Sequence, residues 1–219
     1  MAAGALTSCA ISEPTEQPRA VEDHGEGEIS LPSPQLDGET SLEAAIASRR
    51  SVREFTDEPL SLEEISQLLW AAQGITDPRG LRAAPSAGAL YPLELYVAAP
   101  EGAYHYLLRE HALQVVWEED RRSHLWDAGL KQGALQQAAA IFVVTAVYQR
   151  TEAKYGDRAE RYVELEAGHA AQNILLQAVA LELGAVPIGA FYDDQVQAAL
   201  GLPSDHRPLY LIPVGRPER

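Results

Sequence analysis

Three arginines and a serine fall within five residues, Arg49-Arg50-Ser51-Val52-Arg53, in a chain whose formal net charge is −15. A composition this acidic does not supply such a cluster by chance. Guanidiniums four residues apart with a hydroxyl between them form the donor set a phosphate dianion needs. Their planar forks match phosphate oxygens bidentately and stay charged at any working pH. The same residues also suit a solvated basic helix end, favourable against the helix dipole. Taken alone, the segment supports both readings.

Two other segments carry chemistry-bearing residues. Pro85-Ser86-Ala87-Gly88-Ala89-Leu90-Tyr91-Pro92 is a run of small residues between prolines, which by itself reads as a Gly/Pro turn leading into a strand. Lys154-Tyr155-Gly156 precedes a helix and fits an exposed, charged helix start with Asp157 as its cap. The histidines show no metal-ligand spacing, and no P-loop, GxGxxG or GxSxG pattern occurs. Nucleotide hydrolysis, dinucleotide-fold dehydrogenase and serine hydrolase readings therefore lack support.

The elements that must position these groups follow from periodicity and caps. Thr40 with Glu43 has the form of a capping box opening a short helix through Leu42 and Ile46. Ser61 with Glu64 opens a second, closed at Gln73-Gly74. Residues 75–92 read as a long loop, and long ordered loops are usually functional. Leu93 to Ala99, Tyr104 to Leu108 and Leu113 to Trp117 then alternate as an antiparallel meander. Leu125 to Leu135 is helical, and the apolar run Ile141 to Val147 is a strand buried on both faces. Residues 157–183 form the longest helix, ended by Gly184. A short strand or loop covers Ala185 to Phe191, a short helix Asp194 to Leu200 with Gly201 at its end, and a last strand Leu209 to Val214. Helices and strands mix without regular βαβ alternation, so the class is α+β, a mostly antiparallel central sheet flanked by helices.

The 219 residues, 46% of them apolar, can build a sizeable core. The acidic balance argues against a nucleic-acid partner or an anionic membrane surface, and no run of about 18 apolar residues marks a transmembrane segment. Cys9 is the only cysteine, which excludes an intramolecular disulfide. Residues 1–39, acidic from Glu13 to Glu39 with Arg19 as the single basic residue and interrupted by prolines, read as a flexible tail with too few apolar side chains to dock. Residues 40–219 are the folded domain. Leu6-Thr7-Ser8-Cys9 has the form of a lipoprotein processing site ahead of an acidic tether, yet lacks a basic or full apolar region before it. The sequence as it stands reads as cytoplasmic. The alternative is a truncated signal and a periplasmic lipoprotein anchored at Cys9.

Taken in order, Ser48-Arg49-Arg50-Ser51-Val52-Arg53-Glu54-Phe55, Pro85 to Pro92, Gly168-His169-Ala170-Ala171-Gln172-Asn173, Ala185-Val186-Pro187-Ile188-Gly189-Ala190-Phe191 and Leu211-Ile212-Pro213-Val214-Gly215-Arg216-Pro217 resemble the nitroreductase superfamily of flavin enzymes. More narrowly they resemble its branch of SagB-type and thiazole/oxazole-forming dehydrogenases. The likeness covers roughly residues 41–217 and implies an FMN cofactor, an NAD(P)H donor for many members, and a homodimer with flavins at the subunit interface. It gives Arg49, Arg50, Ser51 and Arg53 the phosphate and ribityl end of FMN, with Arg216 as a further cation. It lays Pro85, Ser86, Ala87 and Gly88 along the isoalloxazine, where small residues let backbone approach a flat ring. It puts Pro187, Ile188, Gly189 and Ala190 over the reactive N5, and Gln132 at the ring edge. Gln172 and Asn173 bind flavin or bridge helices. In azoline dehydrogenases of this branch a Lys-Tyr pair acts on the substrate, which makes Lys154 and Tyr155 the candidate acid/base groups. The expected activity is an FMN-dependent two-step electron transfer on a nitro or quinone-type small molecule, or on a peptide azoline. A non-catalytic flavin-binding or envelope-tethered interaction module is the alternative.

Overall fold

A strand stays in a sheet when both its faces find cover, and Ala140–Ala146, buried at every position, sets the architecture. In the computed structural model, which describes residue 1 and residues 27–218, this strand (β5) lies inside a seven-stranded sheet. The other strands are β1 (Glu28–Ser30), β2 (Leu93–Ala99), β3 (Gly102–Leu107), β4 (Ala112–Trp117), β6 (Gly184–Ala185) and β7 (Arg207–Gly215). Their order is β1-β4-β3-β2-β5-β7-β6, and every pairing is antiparallel. Because side chains alternate across a strand, Ala140, Phe142, Val144 and Ala146 of β5 enter one core while Ile141 and Val143 enter the other.

The first core packs under α2 (Leu62–Gln73) and the long α6 (Ala159–Ala180), through Leu68, Leu69, Val163 and Ile174. The second packs under α3 (Arg122–Ala128), α4 (Gly133–Gln137) and α7 (Asp193–Leu200), through Leu125, Leu135, Val196 and Leu200. Two short helices complete the set, α1 (Leu42–Ser48) and α5 (Gln149–Tyr155). The α+β class, the meander and the buried strand stand as read from sequence. So does the Ser61–Glu64 capping box, reciprocal at 3.2 and 2.8 Å, and the left-handed Gly201 after α7.

Several local readings change. Leu125 to Leu135 divides between α3 and α4, and Lys154 and Tyr155 end α5 with Gly156 at its C-cap, so they do not open the long helix and Asp157 is not its cap. The first helix is capped by Ser41, whose Oγ accepts from Ala44 N–H at 3.2 Å, not by Thr40. α6 stops at Ala180 and turns through Glu182 at φ 59°, so Gly184 is not its terminator. The boundary at residue 39 also moves: Glu28–Ser30 is an edge strand on β4, and Leu31 is buried in the first core. Tertiary pairing supplies there what local composition lacks. Cys9 lies outside the described residues. No described helix is long and apolar enough to cross a membrane.

Candidate functional site

The arginine segment follows α1 and runs extended along the outer edge of the sheet. Ser51 bridges Ala185 in parallel, Val52 N–H donates to Ala185 O at 3.1 Å, and Thr56 N–H donates to Arg216 O at 3.0 Å. Gly184 permits this approach, since a Cβ there would lie 2.6 Å from Val52 Cγ1. Arg50 folds back onto the carbonyls of Ala47 and Arg49 at 3.0 and 2.8 Å, at the negative end of α1. Arg53 reaches Ser51 O at 3.4 Å. Arg49 is half-buried; Arg50, Ser51 and Arg53 are exposed. Among the described residues none of these three guanidiniums pairs with a carboxylate. Arg216 differs. It binds Glu58 at 2.7 Å and Glu64 at 2.8 Å, so its charge is already matched, and it ties the C-terminal strand to the start of α2.

Beyond Ala185 the chain continues as an edge loop. Ile188 and Leu211 exchange backbone hydrogen bonds at 2.8 and 2.9 Å, which fixes Pro187 to Ala190 against β7. Gly189 and Ala190 are exposed, and among the described residues their amides donate to no acceptor. Gln132 donates to Ala190 O at 3.0 Å and Gly129 O at 2.9 Å. Its amide is thus spent on shaping this loop. Arg49, Arg50, Ser51, Arg53 and the free amides of Gly189 and Ala190 form one continuous edge, cationic at one end and donor-rich at the other.

The strap Pro85–Pro92 belongs to a second group. Ser86 Oγ accepts from Tyr91 N–H at 2.9 Å and closes a tight turn in which Gly88, Ala89 and Tyr91 have φ of 65°, 53° and 48°. Such conformations cost of order 1–3 kcal/mol each for residues with a Cβ and persist only where surroundings over-determine them. A Cβ on Gly88 would lie 2.8 Å from both Lys154 Nζ and Tyr155 Oη, so the Lys-Tyr pair sits directly against the strap. Lys154 also lies over the Tyr155 ring, and Tyr155 meets Tyr162 edge to face. Beneath the strap, Arg82 stacks on Tyr91 and donates to Gln73 Oε1 at 3.0 Å, and Arg150 donates to Tyr91 O at 3.2 Å.

Nearby, Arg150 also pairs with Glu94 at 2.6 Å, and His105 meets the other Glu94 oxygen at 2.8 Å. Burial alone would raise the Glu94 carboxyl, but the bonds and charges of His105 and Arg150 overcome it and hold the pKa at about 2. Under these groups lies Glu166 of α6, 2% exposed. Burial pushes its pKa up to about 7, against the pull of the Ser86 hydroxyl, Arg82 and Gln73. Sequence reading missed Glu166, because an acidic residue on a helix looks like any solvated one until the strap covers it.

The two groups stand apart within one chain. The arginine edge adjoins Ala185, which pairs with Val214, itself paired with Ala140 at one end of β5. The strap adjoins the other end, where Leu93 pairs with Ala146 and Val147 donates to Pro92 O. Six residue steps at about 3.3 Å each separate them by roughly 20 Å along the strand alone. Gln172 is exposed on α6, whereas Asn173 bridges helices by donating to Ala71 O at 2.9 Å. A cavity of about 820 Å³ lies elsewhere, between residues 35–42, α2 and α6, and none of the predicted site residues except Asn173 lines it.

The chain thus has an α+β fold with a seven-stranded antiparallel sheet, a cationic edge at one end of β5 and a basic-aromatic strap at the other. The chain belongs to the nitroreductase family, whose model matches residues 46–216. It is 44% identical over 195 residues to a protein of Methanocaldococcus jannaschii that carries the name nitroreductase, covering 86% of this chain and 96% of that one. The crystal structure of a nitroreductase-named protein from Ralstonia eutropha superposes with a TM-score of 0.79 at 30% identity, over 94% of this chain and 97% of that one. The Escherichia coli microcin synthetase complex with truncated pro-MccB17 bound contains a chain that matches with a TM-score of 0.69 at 26% identity, over 78% of this chain and 70% of that one. The chain is a nitroreductase-family flavin oxidoreductase.

Proposed function

We propose that the protein is an FMN-dependent oxidoreductase that works as a homodimer, with NAD(P)H as electron donor and a nitro or quinone-type small molecule as acceptor. One observation carries it: in a chain of net charge −15, Arg49, Arg50 and Arg53 have no carboxylate partner among the described residues, and the Gly189 and Ala190 amides on the adjoining loop have no acceptor among them. A phosphate dianion fits the guanidinium end with Ser51 as a further donor. A flat, acceptor-rich ring fits the amide end. Bound there, FMN supplies two-electron transfer through N5. The protein's own contribution is to orient the ring through Gly189 and Ala190, to hold that loop with Gln132, and to neutralise the phosphate.

The strap enters through a second copy. One chain holds the arginine edge and the Pro85–Gly88 strap at opposite ends of β5, roughly 20 Å apart along the strand, and we assign the roof of the ring to the strap of a second copy. An outward apolar stripe is available for pairing: Leu42 and Ile46 on α1 are 61% and 57% exposed, and Leu165 on α6 is 53% exposed. Gly168, three residues on, leaves open space where a side chain would stand, which lets a partner backbone approach closely. The partner's strap, with Lys154 and Tyr155 beside its Gly88, would then roof the ring.

That same juxtaposition favours a second reading. Lys154 Nζ and Tyr155 Oη converge on one point above Gly88, an arrangement suited to proton transfer on a substrate lying against the strap. It supports SagB-like dehydrogenation of a peptide azoline. Arg216 is a weaker member of the proposed phosphate set, since Glu58 and Glu64 already match its charge. The test is anaerobic titration of the purified, flavin-loaded protein with NADH and NADPH. Bleaching of the flavin, followed by reoxidation with a nitroaromatic or quinone, is the expected result. Flavin that stays oxidised with both nicotinamides would shift the assignment to the azoline reaction, tested by variants at Lys154 and Tyr155. Failure to bind FMN at all would leave only a non-catalytic interaction module.

A further inference from the structure

Arg150 stands where the strap, the sheet and α5 meet. Its Nη1 donates to Tyr91 O at 3.2 Å, and its Nη2 pairs with Glu94 Oε1 at 2.6 Å. The second Glu94 oxygen accepts from His105 Nε2 at 2.8 Å, and Thr145 Oγ1 donates to the Glu94 backbone carbonyl at 3.2 Å. The His105 ring in turn stacks on Tyr96, with 4.5 Å between centroids. Glu94 is thus carried by β2 and held from β3 and β5. A carboxylate with both oxygens engaged and only 18% exposed has little room to swing, so the guanidinium it grips is fixed as well.

α5 relates this grip to the Lys-Tyr pair. Arg150 and Lys154 lie four residues apart on one helix, hence on the same face, one turn from each other. That face meets the strap at two points: Arg150 at Tyr91 O, and Lys154 with Tyr155 against Gly88. Between them the strap passes through Ala89 and Tyr91 at φ 53° and 48°, a left-handed path that persists only with outside support. We propose that Arg150 is a positioning residue: one arm of its fork anchors on Glu94, the other holds the Tyr91 carbonyl, and together they set the Lys154–Tyr155 pair against Gly88. A lysine there keeps a charge for Glu94 but lacks the planar fork that reaches both acceptors at once.

Amide hydrogen exchange of the full chain as purified, read by mass spectrometry over peptides covering residues 86–91, tests this role. Two amides report a closed strap, those of Ala89 and Tyr91, which donate to Ser86 O and Ser86 Oγ. Arg150→Lys should speed their exchange about tenfold. Its melting temperature should stay within about 2 °C of wild type, because the ion pair with Glu94 survives. Arg150→Met loses both contacts, so it should speed exchange equally and also melt lower. Peptides from the C-terminal half of α6 should exchange as in the wild type. A lysine variant whose strap is as protected as the wild type overturns the proposal, as does acceleration spread evenly through α6. Should Arg150→Met fail to fold, the lysine variant decides alone. Turnover gives a second readout, and that part alone rests on the flavin reading. With FMN loaded, Arg150→Lys should lower kcat about tenfold at unchanged KM for the nicotinamide. Unchanged kcat beside a loosened strap also overturns the positioning role. A chain that binds no FMN would sink the flavin reading and leave the exchange result to decide.

Discussion

Arg49, Arg50 and Arg53 illustrate how charge becomes informative only against its surroundings. Arg79 is spent on Asp77, Arg122 on Asp120, Arg150 on Glu94 and Arg216 on Glu58 and Glu64. Arg49, Arg50 and Arg53 instead stand together with no carboxylate partner among the described residues, which is reasonable where an anion completes the set. Replacing Arg49 and Arg53 together by alanine removes two charge-assisted contacts worth roughly 1.5–3 kcal/mol each. FMN affinity measured by fluorescence titration should fall at least about a hundredfold, with the melting temperature of the flavin-free protein unchanged. Affinity within about threefold of wild type would remove the phosphate assignment. The arginine cluster was legible in sequence because its chemistry is local. Glu166 was not, since only the strap packed across it turns a helix carboxylate into a buried group. The ion pairs of Arg216 were hidden for the complementary reason, its two carboxylate partners lying more than 150 positions away in the chain.

At the scale of elements, signals confined to neighbouring residues survive folding and those that depend on distant partners do not. Ser61 and Glu64 cap α2 as their spacing announces, whereas Thr40 and Ser41 offer adjacent hydroxyls that spacing alone cannot rank. Gly184 resembles a helix stop, yet its missing side chain serves Val52 from the other end of the chain. The edge strand Glu28–Ser30 was hidden by acidic composition; it is secured by β4 and by His111. In that clamp Tyr106 donates to His111 Nδ1 at 2.8 Å, Nε2–H faces Ser66 Oγ at 2.8 Å and Pro32 O at 3.0 Å, and Ser66 donates to Pro32 O at 2.6 Å.

Burial lowers the His111 pKa below the ordinary value of 6.5, with the Pro32 carbonyl opposing. A histidine depressed on folding contributes its full stability above pH 6.5 and loses it as pH falls through the folded value. Chemical denaturation should therefore show stability declining below about pH 6.5, and the decline should shrink in His111→Gln. A chain beginning at Glu39 also loses the buried Leu31 and orphans Ser66 and His111. Relative to one beginning at Gly27, it should melt roughly 10 °C lower, on about 2–4 °C per kcal/mol for a domain of this size. Equal melting temperatures would mean that the edge strand contributes nothing.

In the proposed dimer, the labour of the whole molecule is divided between two copies. Its sheet carries the anion-receptive edge at one end and the Lys-Tyr strap at the other, while α1 and α6 leave Leu42, Ile46 and Leu165 facing outward. Apolar side chains exposed in this way suit an interface more than open water. If two copies join along these helices, breaking the joint should abolish flavin retention without disturbing either subunit's core, because neither sheet face contributes to the stripe. Ile46→Asp combined with Leu165→Asp places two carboxylates in the proposed seam, where each would be desolvated and unpaired. Sedimentation should then report monomers at concentrations where wild type is a dimer, and FMN should leave during gel filtration while circular dichroism stays native-like. A variant that is monomeric yet keeps its flavin would show that one chain suffices, and would return the strap to a role other than roofing the partner's ring. A wild type that sediments as a monomer with FMN bound would do the same without mutation.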